Sequence, residues 1–587
     1  MSVPIEDYAM IGDGNTAALV SRSGSVDWLC WPHFDSDACC AALLGGPEHG
    51  HWQIAPATEP RAVIRRYKTD TLVLETEFET DTGVVRLIDF MPVQHAHSTV
   101  VRIVVGVRGQ VAMHGDLALR FDFGAMPPWV AVQGTCMQAE LGPHQVVLRG
   151  PAPLTHQHDR VDCTFTVAAA ERVAFTLSYG TVVQGAVPPI DAEAALAATV
   201  DYWHRWIGRF DKSTAWPEAV RRSLITLKAL IFHPSGGVLA APTTSLPEIP
   251  GGHANWDYRY CWVRDASFTL TALLNAGYHE EAAAWRNWIL RAVAGRPEEM
   301  RIMYRIDGAR HIGEREIPWL PGYDWSRPVL VGNKASLQHQ ADVYGELIEA
   351  LYLGVRGGID RSARSEEVQA IVVAHIEKTW MAPGAGLWEQ RGEQRHYVYA
   401  RVMAWVGIDC FLRGGAEVDA PTRTRLEGVR DRIHQEVCAN GYHAGLGRFV
   451  EYFGGQSIDA SLLLLPLVGF LPVDDPRIVA TIDAVERELM EGGFVRRKKA
   501  DSLHPEGAFL ACTLWLADCR AMQGNHDAAR EIVERVLAIR NDVGLLSEEY
   551  NVPGRRLAGN FPQALTHLAL VNTILGLSGP VLQRGGG

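Results

Sequence analysis

Carboxylates set beside flat aromatic rings recur in this sequence, and that pairing suits acid–base chemistry on a sugar. Residues 255–268, NWDYRYCWVRDASF, hold five aromatic side chains, two aspartates and two arginines in fourteen positions. Trp256, Tyr258, Tyr260 and Trp262 alternate with Asp257, Arg259 and Cys261, so the stretch reads as an extended arm running into a helix near Asp265. Aromatic faces beside fixed carboxylates and guanidinium forks match a ligand with C–H faces and a rim of hydroxyls, as a pyranose has. A strand with one buried aromatic face would show the same alternation, so the window alone leaves both readings open.

Hydrolysis of a glycoside needs one carboxylic acid to protonate the departing oxygen and a second carboxylate acting from the other face of the sugar. Glu389, in GLWEQRG at 386–392, follows Trp388 in a Gly-bounded turn. An apolar neighbour raises a carboxyl's pKa and keeps it protonated near neutrality, so Glu389 is the candidate acid, with Glu393 in reserve. Glu548 or Glu549 of LLSEEYN is the candidate base, although paired glutamates also make a solvated helix start. Glu506 in HPEGAF is a further ligand candidate or a first-turn residue facing the helix dipole, and Asp265 is a ligand or an N-cap. Trp319 belongs to a further aromatic loop, WLPGYDWSRP. Gln338, Gln340 and Asp342 alternate too closely to share one helix face.

Other chemistries lack their spacing. The ten cysteines form no zinc or redox motif and read as reduced core thiols, GDGN at 12–15 is too short for a nucleotide loop, and no nucleophile elbow occurs. No cofactor and no metal are expected. A net charge of −13 and a pI near 5.9 speak against a nucleic-acid or anionic-membrane partner. RRKK at 496–499 is the one basic cluster and reads as a solvated loop. The first residues lack the pattern of a signal or transit peptide, so the expected location is cytoplasmic. The sequence leaves oligomerisation open.

Two kinds of element must position these groups. Residues 1–190 read as strands at 62–66, 72–78, 84–90, 99–107, 117–121, 145–148, 163–167 and 172–179, which implies an antiparallel β-sandwich. GSVDWLCWPHFDS at 24–36 reads as a hairpin packed on it. Residues 191–214 read as a helical linker, and from 215 to 587 the period is helical, with about twelve segments that include 336–353, 458–465 and 505–522. Connections after the odd-numbered segments are long and those after the even-numbered ones short, so antiparallel neighbours place every long loop at one end. Six helical hairpins closing into a ring make an (α/α)6 barrel, and the six long loops carry NWDYRYCW, WLPGYDWSRP, GLWEQRG, residues 448–452, RRKKADSLHPEGAF and LLSEEYN.

Nearly the whole chain resembles glycoside hydrolase family 15, the glucoamylases and more closely the bacterial and archaeal members that include trehalases. The resemblance rests on GSVDWLCWPHFDS, residues 241–268, WLPGYDWSRPVLVGN, GLWEQRG, DASLLLLPLVGFLP, EGAFLACTLWL and LLSEEYN with GNFPQALTH, in that order. It implies a β-sandwich joined to a catalytic (α/α)6 barrel and an inverting hydrolysis that releases β-glucose. It further implies Glu389 as general acid, Glu548 as general base, Arg264 and Asp265 as the grip on the first glucose, and Trp262 and Trp388 as its walls. His253, Ala400 with Arg401, and His504 with Pro505 depart from the usual pattern and put the substrate in doubt rather than the reaction.

The reading is an exo-acting α-glucoside hydrolase, with trehalose preferred because of the N-terminal segment. Inversion requires the two acids about 6.5–9.5 Å apart. The substrate-binding set is Arg264, Asp265, Trp262, Trp256, Asp257, Trp388, Trp319, Glu549 and Glu506. The alternatives are a glucoamylase-type enzyme on 1,4- or 1,6-linked glucans, a phosphorolytic enzyme, and a sugar-binding protein without activity.

Overall fold

A computed structural model describes residues 2–415, 418–499 and 506–582. The departure at His504 and Pro505 lies outside the described residues.

Fifteen strands form the N-terminal β-structure, and the pairings are antiparallel. Its spine is the strand Thr99–Ala118. The first half of this strand pairs with Gly83–Phe90 and Arg172–Thr181, and the second half pairs with His51–Pro56 and Arg160–Ala168. One strand therefore serves both parts of the sheet, as strands at sandwich corners do. The separate strand expected at 117–121 is the end of this spine. Tyr8–Gly12, Ala17–Ser21 and Ser25–Cys30 are also strands, and every residue in them is buried. The loop after the last of these reaches the helical part, where Arg259 donates to the carbonyl of Ser36 at 2.6 Å, and Trp28 Nε1 donates to Pro242 O at 2.8 Å.

Asp191 caps helix α1 (Ala192–Ile207) by accepting from the amides of Glu193 and Ala194. Twelve helices follow: α2 (Pro217–Ala229), α3 (Ala266–Asn275), α4 (His279–Ala292), α5 (Asp342–Arg356), α6 (Ala363–Thr379), α7 (Val398–Arg413), α8 (Ala420–Glu436), α9 (Leu464–Leu467), α10 (Pro476–Leu489), α11 (Leu510–Met522), α12 (His526–Ala538) and α13 (Ala564–Ser578). The inner members α3, α5, α7, α9, α11 and α13 each pack on the next, and α13 returns to α3. Inner α7 is buried from Val398 to Leu412, whereas outer α8 buries only Leu426, Val429 and Ile433. That contrast is the sequence cause of the two rings: a helix apolar all round goes inside and a narrow-striped one outside. The inner helix expected from 336 begins at Asp342 after a 3-10 turn at Lys334–Leu337, the segment expected at 458–465 is the turn Ala460–Leu463 running into α9, and the one expected from 505 begins at Leu510.

Asp518 on α11 lines an open pocket of about 290 Å³ beside the inner helices, and burial pushes its carboxyl from 3.8 up to about 7. A carboxyl raised on folding contributes stability in full below its unfolded value, and loses it as pH rises through the folded one. Asp518→Asn should therefore leave the thermal midpoint unchanged near pH 4 and raise it at pH 8. A midpoint lowered equally at both pH values would show that Asp518 contributes through its hydrogen bonds instead. Among the described residues no helix is long and apolar enough to cross a membrane.

Candidate active site

The loops preceding the inner helices converge on a cleft of about 410 Å³. Residues 240–245 and 256–260 run antiparallel, with Ser245 N bonded to Trp256 O and Ala241 N to Tyr258 O. The pleat of this arm sends alternate side chains opposite ways. Trp256 and Tyr258 line the cleft. Asp257 and Arg259 face away and form an ion pair of 2.7 Å with no exposed side-chain surface, the guanidinium lying 5.3 Å from the Phe123 ring of the β-structure. Asp257 is thus an anchor between the two halves of the molecule, and it does not join the cleft.

Glu389 lies in the connection between α6 and α7, with φ of +56°. Trp262 Nε1 donates to its Oε1 at 2.5 Å and Arg264 Nη1 does so at 3.2 Å, while the same guanidinium nitrogen donates to Leu387 O at 2.8 Å. Burial raises the Glu389 carboxyl above its usual range, against the opposing pull of Arg264 and the Trp262 hydrogen bond. Arg264 also pairs with Asp265 at 3.3 Å. Asp265 occupies the N-cap position of α3, but its side chain makes no capping hydrogen bond. Trp388 lines the cleft and stacks on Trp515 with ring centres 6.2 Å apart.

Glu548 comes from the connection between α12 and α13 and lines the same cleft. Tyr258 donates its hydroxyl to Glu548 Oε1 at 2.6 Å, and Oε2 has no protein hydrogen bond. Burial pushes this carboxyl up to about 7 although Arg497 and Tyr258 both pull it down. Glu549 points away from the cleft and is buried beside Arg497 at 3.3 Å. Glu506 lines the cleft and pairs with Arg497, and it precedes the strand Ala508–Phe509 rather than standing in a helix's first turn.

The other expected residues lie apart from the cleft. Trp319 is 43 % exposed and donates to Phe123 O at 2.9 Å on the β-structure. Glu393 is a surface carboxylate paired with Arg395 at 3.6 Å. Gln338 holds the turn of Glu389 by donating to the carbonyls of Glu389 and Gln390, and Asp342 is buried, its carboxyl pushed to about 6 by burial. His253 is exposed and bonds Arg327 O, and Arg401 is buried, donating to Ala382 O at 3.1 Å.

RRKK is not a solvated loop. Arg497 and Lys498 line the cleft, and Arg497 Nη2 touches Glu248, Glu506 and Glu549. Those three carboxylates bring oxygens within 4.8 Å of one another, a spacing that would also suit a cation, and the guanidinium already stands among them. Tyr258, Glu248, Gln390 and Arg391 are further lining residues that motif reading left out. Tyr258 was visible as one of the arm's aromatics; nothing local to Glu248 or Arg497 marks a loop that folds back over carboxylates.

Residues 216–575 match the profile of glycosyl hydrolases family 15, and residues 1–195 match that of the trehalase-like N-terminal region. The trehalase of Thermoplasma volcanium is 33 % identical over 99 % of this chain and 94 % of its own. The trehalase of Mycolicibacterium smegmatis is 33 % identical over 97 % of this chain and 91 % of its own. A bacterial glucoamylase solved with acarbose superposes with a TM-score of 0.70 over 98 % of this chain and 94 % of its own, at 11 % identity.

Proposed function

The chain belongs to glycosyl hydrolases family 15, and from that premise we propose that it hydrolyses α,α-trehalose to two glucose molecules with inversion at one anomeric carbon. The observation that carries the mechanism is that two carboxylates, partly exposed Glu389 and buried Glu548, reach one cleft from different loops and are held by different partners. Arg264 and Trp388 line the cleft where the first glucose would sit, and Asp265 and Trp262 stand behind them, holding Arg264 and Glu389 in place. Glu389, whose carboxyl burial raises above its usual range, gives its proton to the bridging oxygen as the C1–O bond breaks. Glu548 takes a proton from the water that attacks C1 on the opposite face. Proton exchange with solvent after release restores both groups. A cleft of about 410 Å³ suits a small sugar, and the near-full-length likeness to trehalases supports trehalose. The ten free cysteines support a cytoplasmic location.

Glucose release from trehalose, maltose, isomaltose and maltoheptaose tests the substrate. Trehalose should be cleaved with a kcat/KM at least about tenfold above the others, a difference of about 1.4 kcal/mol. Maltose or maltoheptaose preferred over trehalose would replace the substrate and keep the reaction.

The pH dependence has a defined sign. The base must be unprotonated, so kcat/KM should fall on the acid side through an apparent pKa near 7, the value to which burial pushes Glu548. An acid limb near 4 in the wild type would contradict Glu548 as the base.

A further inference from the structure

Glu389 holds a left-handed backbone conformation that a non-glycine residue keeps only when its surroundings impose it. Its two neighbours are tied into one ionic network. On one side Trp388 Nε1 donates to both carboxylate oxygens of Asp459, at 3.0 and 2.8 Å. On the other, Gln390 Nε2 donates to Glu451 Oε1 at 3.2 Å, and Gln390 Oε1 accepts from Tyr397 at 2.8 Å. Asp459 and Glu451 are 2 % and 8 % exposed and lie in the same connection, between α8 and α9. Their remaining capacity is used locally, by the amide of Ser461 and the hydroxyl of Ser457. Lys498 Nζ faces both carboxylates, 2.5 Å from Glu451 Oε1 and 3.9 Å from Asp459 Oδ2. Its neighbour Arg497 is engaged by Glu248, Glu506 and Glu549. The two adjacent cations thus meet different carboxylates, Arg497 the cluster of Glu248, Glu506 and Glu549, and Lys498 the pair that holds Trp388 and Gln390.

We propose that Lys498 is a positioning residue for the general acid: it neutralises Asp459 and Glu451 together, and through Trp388 and Gln390 these hold the turn that aims Glu389. The proposal rests on Glu389 being that acid. Without the ammonium the two carboxylates repel, and Asp459, already raised by burial, takes up a proton and accepts less well from Trp388. The turn then relaxes and the Glu389 carboxyl leaves the line of the bridging oxygen. The loss therefore depends on how much the leaving group needs a proton.

The test compares Lys498→Met and Lys498→Arg on trehalose and on α-D-glucosyl fluoride, whose fluoride departs with little help from an acid. Lys498→Met should lower kcat on trehalose by about 30-fold or more, with KM within about threefold and the fluoride rate within about threefold, and Lys498→Arg should restore most of the trehalose rate. Lys498 lines the cleft, so a loss confined to KM would mean direct substrate contact and overturn the proposal, as would equal losses on both substrates. Should Lys498→Met fail to fold, Asp459→Asn mimics the protonated carboxyl that accepts less well from Trp388, and the same split by leaving group is expected. Glu389→Gln is the control: if it shows no such split, the assignment of the acid fails, and that result is separate from the behaviour of Lys498.

Discussion

Glu548→Gln lowers kcat on trehalose by roughly 10³-fold with KM little changed, the loss expected when a general base is removed and binding is kept. The amide still accepts from Tyr258 and fills the same space, so the site keeps its shape. What disappears is the one group that can take the proton of the attacking water. In barrier terms the loss is about 4 kcal/mol. The acid limb near 7 should disappear with it, because the group titrating there has been removed. Added azide or formate should restore part of the rate in Glu548→Ala and give the corresponding β-glucosyl product. A variant that keeps more than a tenth of the wild-type kcat would place the base elsewhere. Glu549 would then be the next carboxylate to test, although it is buried away from the cleft.

Arg497→Met costs both stability and activity. The guanidinium, 13 % exposed, stands among Glu248, Glu506 and Glu549, and its charge also draws Glu548 down. Removing one partner of a buried ionic cluster leaves charge uncompensated and costs about 3–5 kcal/mol. The carboxylates respond by binding protons, so the deficit in thermal midpoint should be larger at pH 8 than at pH 5. The sign at the active site follows from the same charge. Without Arg497, Glu548 titrates above about 7, the acid limb of kcat/KM moves to higher pH, and activity at neutrality falls more than about tenfold. A midpoint lowered equally at both pH values, with the acid limb unmoved, would reduce Arg497 to a packing residue.

That Glu389 and Glu548 come to one cleft was legible because each sits in a short motif on a long loop, and the alternation of long and short connections pointed to the barrel. The cleft's far wall was not legible. RRKK has the composition of a solvated run, and only the fold brings Arg497 against carboxylates from residues 248, 506 and 549. Asp257 stands one residue from Trp256 and Tyr258, but a pleated strand sends it to the opposite face, where it meets Arg259. Sequence spacing shows that these residues alternate without showing which set faces the ligand. The start of α5 was placed too early because apolar residues of a 3-10 turn, Lys334–Leu337, continue the helical pattern upstream. The strands before residue 31 left little alternation to read, since both of their faces are buried.

The central claim is inversion at a single anomeric carbon by Glu389 and Glu548, and proton NMR of the first turnovers of trehalose in H₂¹⁸O tests it most directly. Inversion predicts α- and β-glucose in equal amounts before mutarotation, because the leaving glucose keeps its α configuration, with ¹⁸O only at C1 of the β anomer. Initial formation of α-glucose alone would contradict the account, since it requires retention through a glucosyl-enzyme in place of a base-activated water.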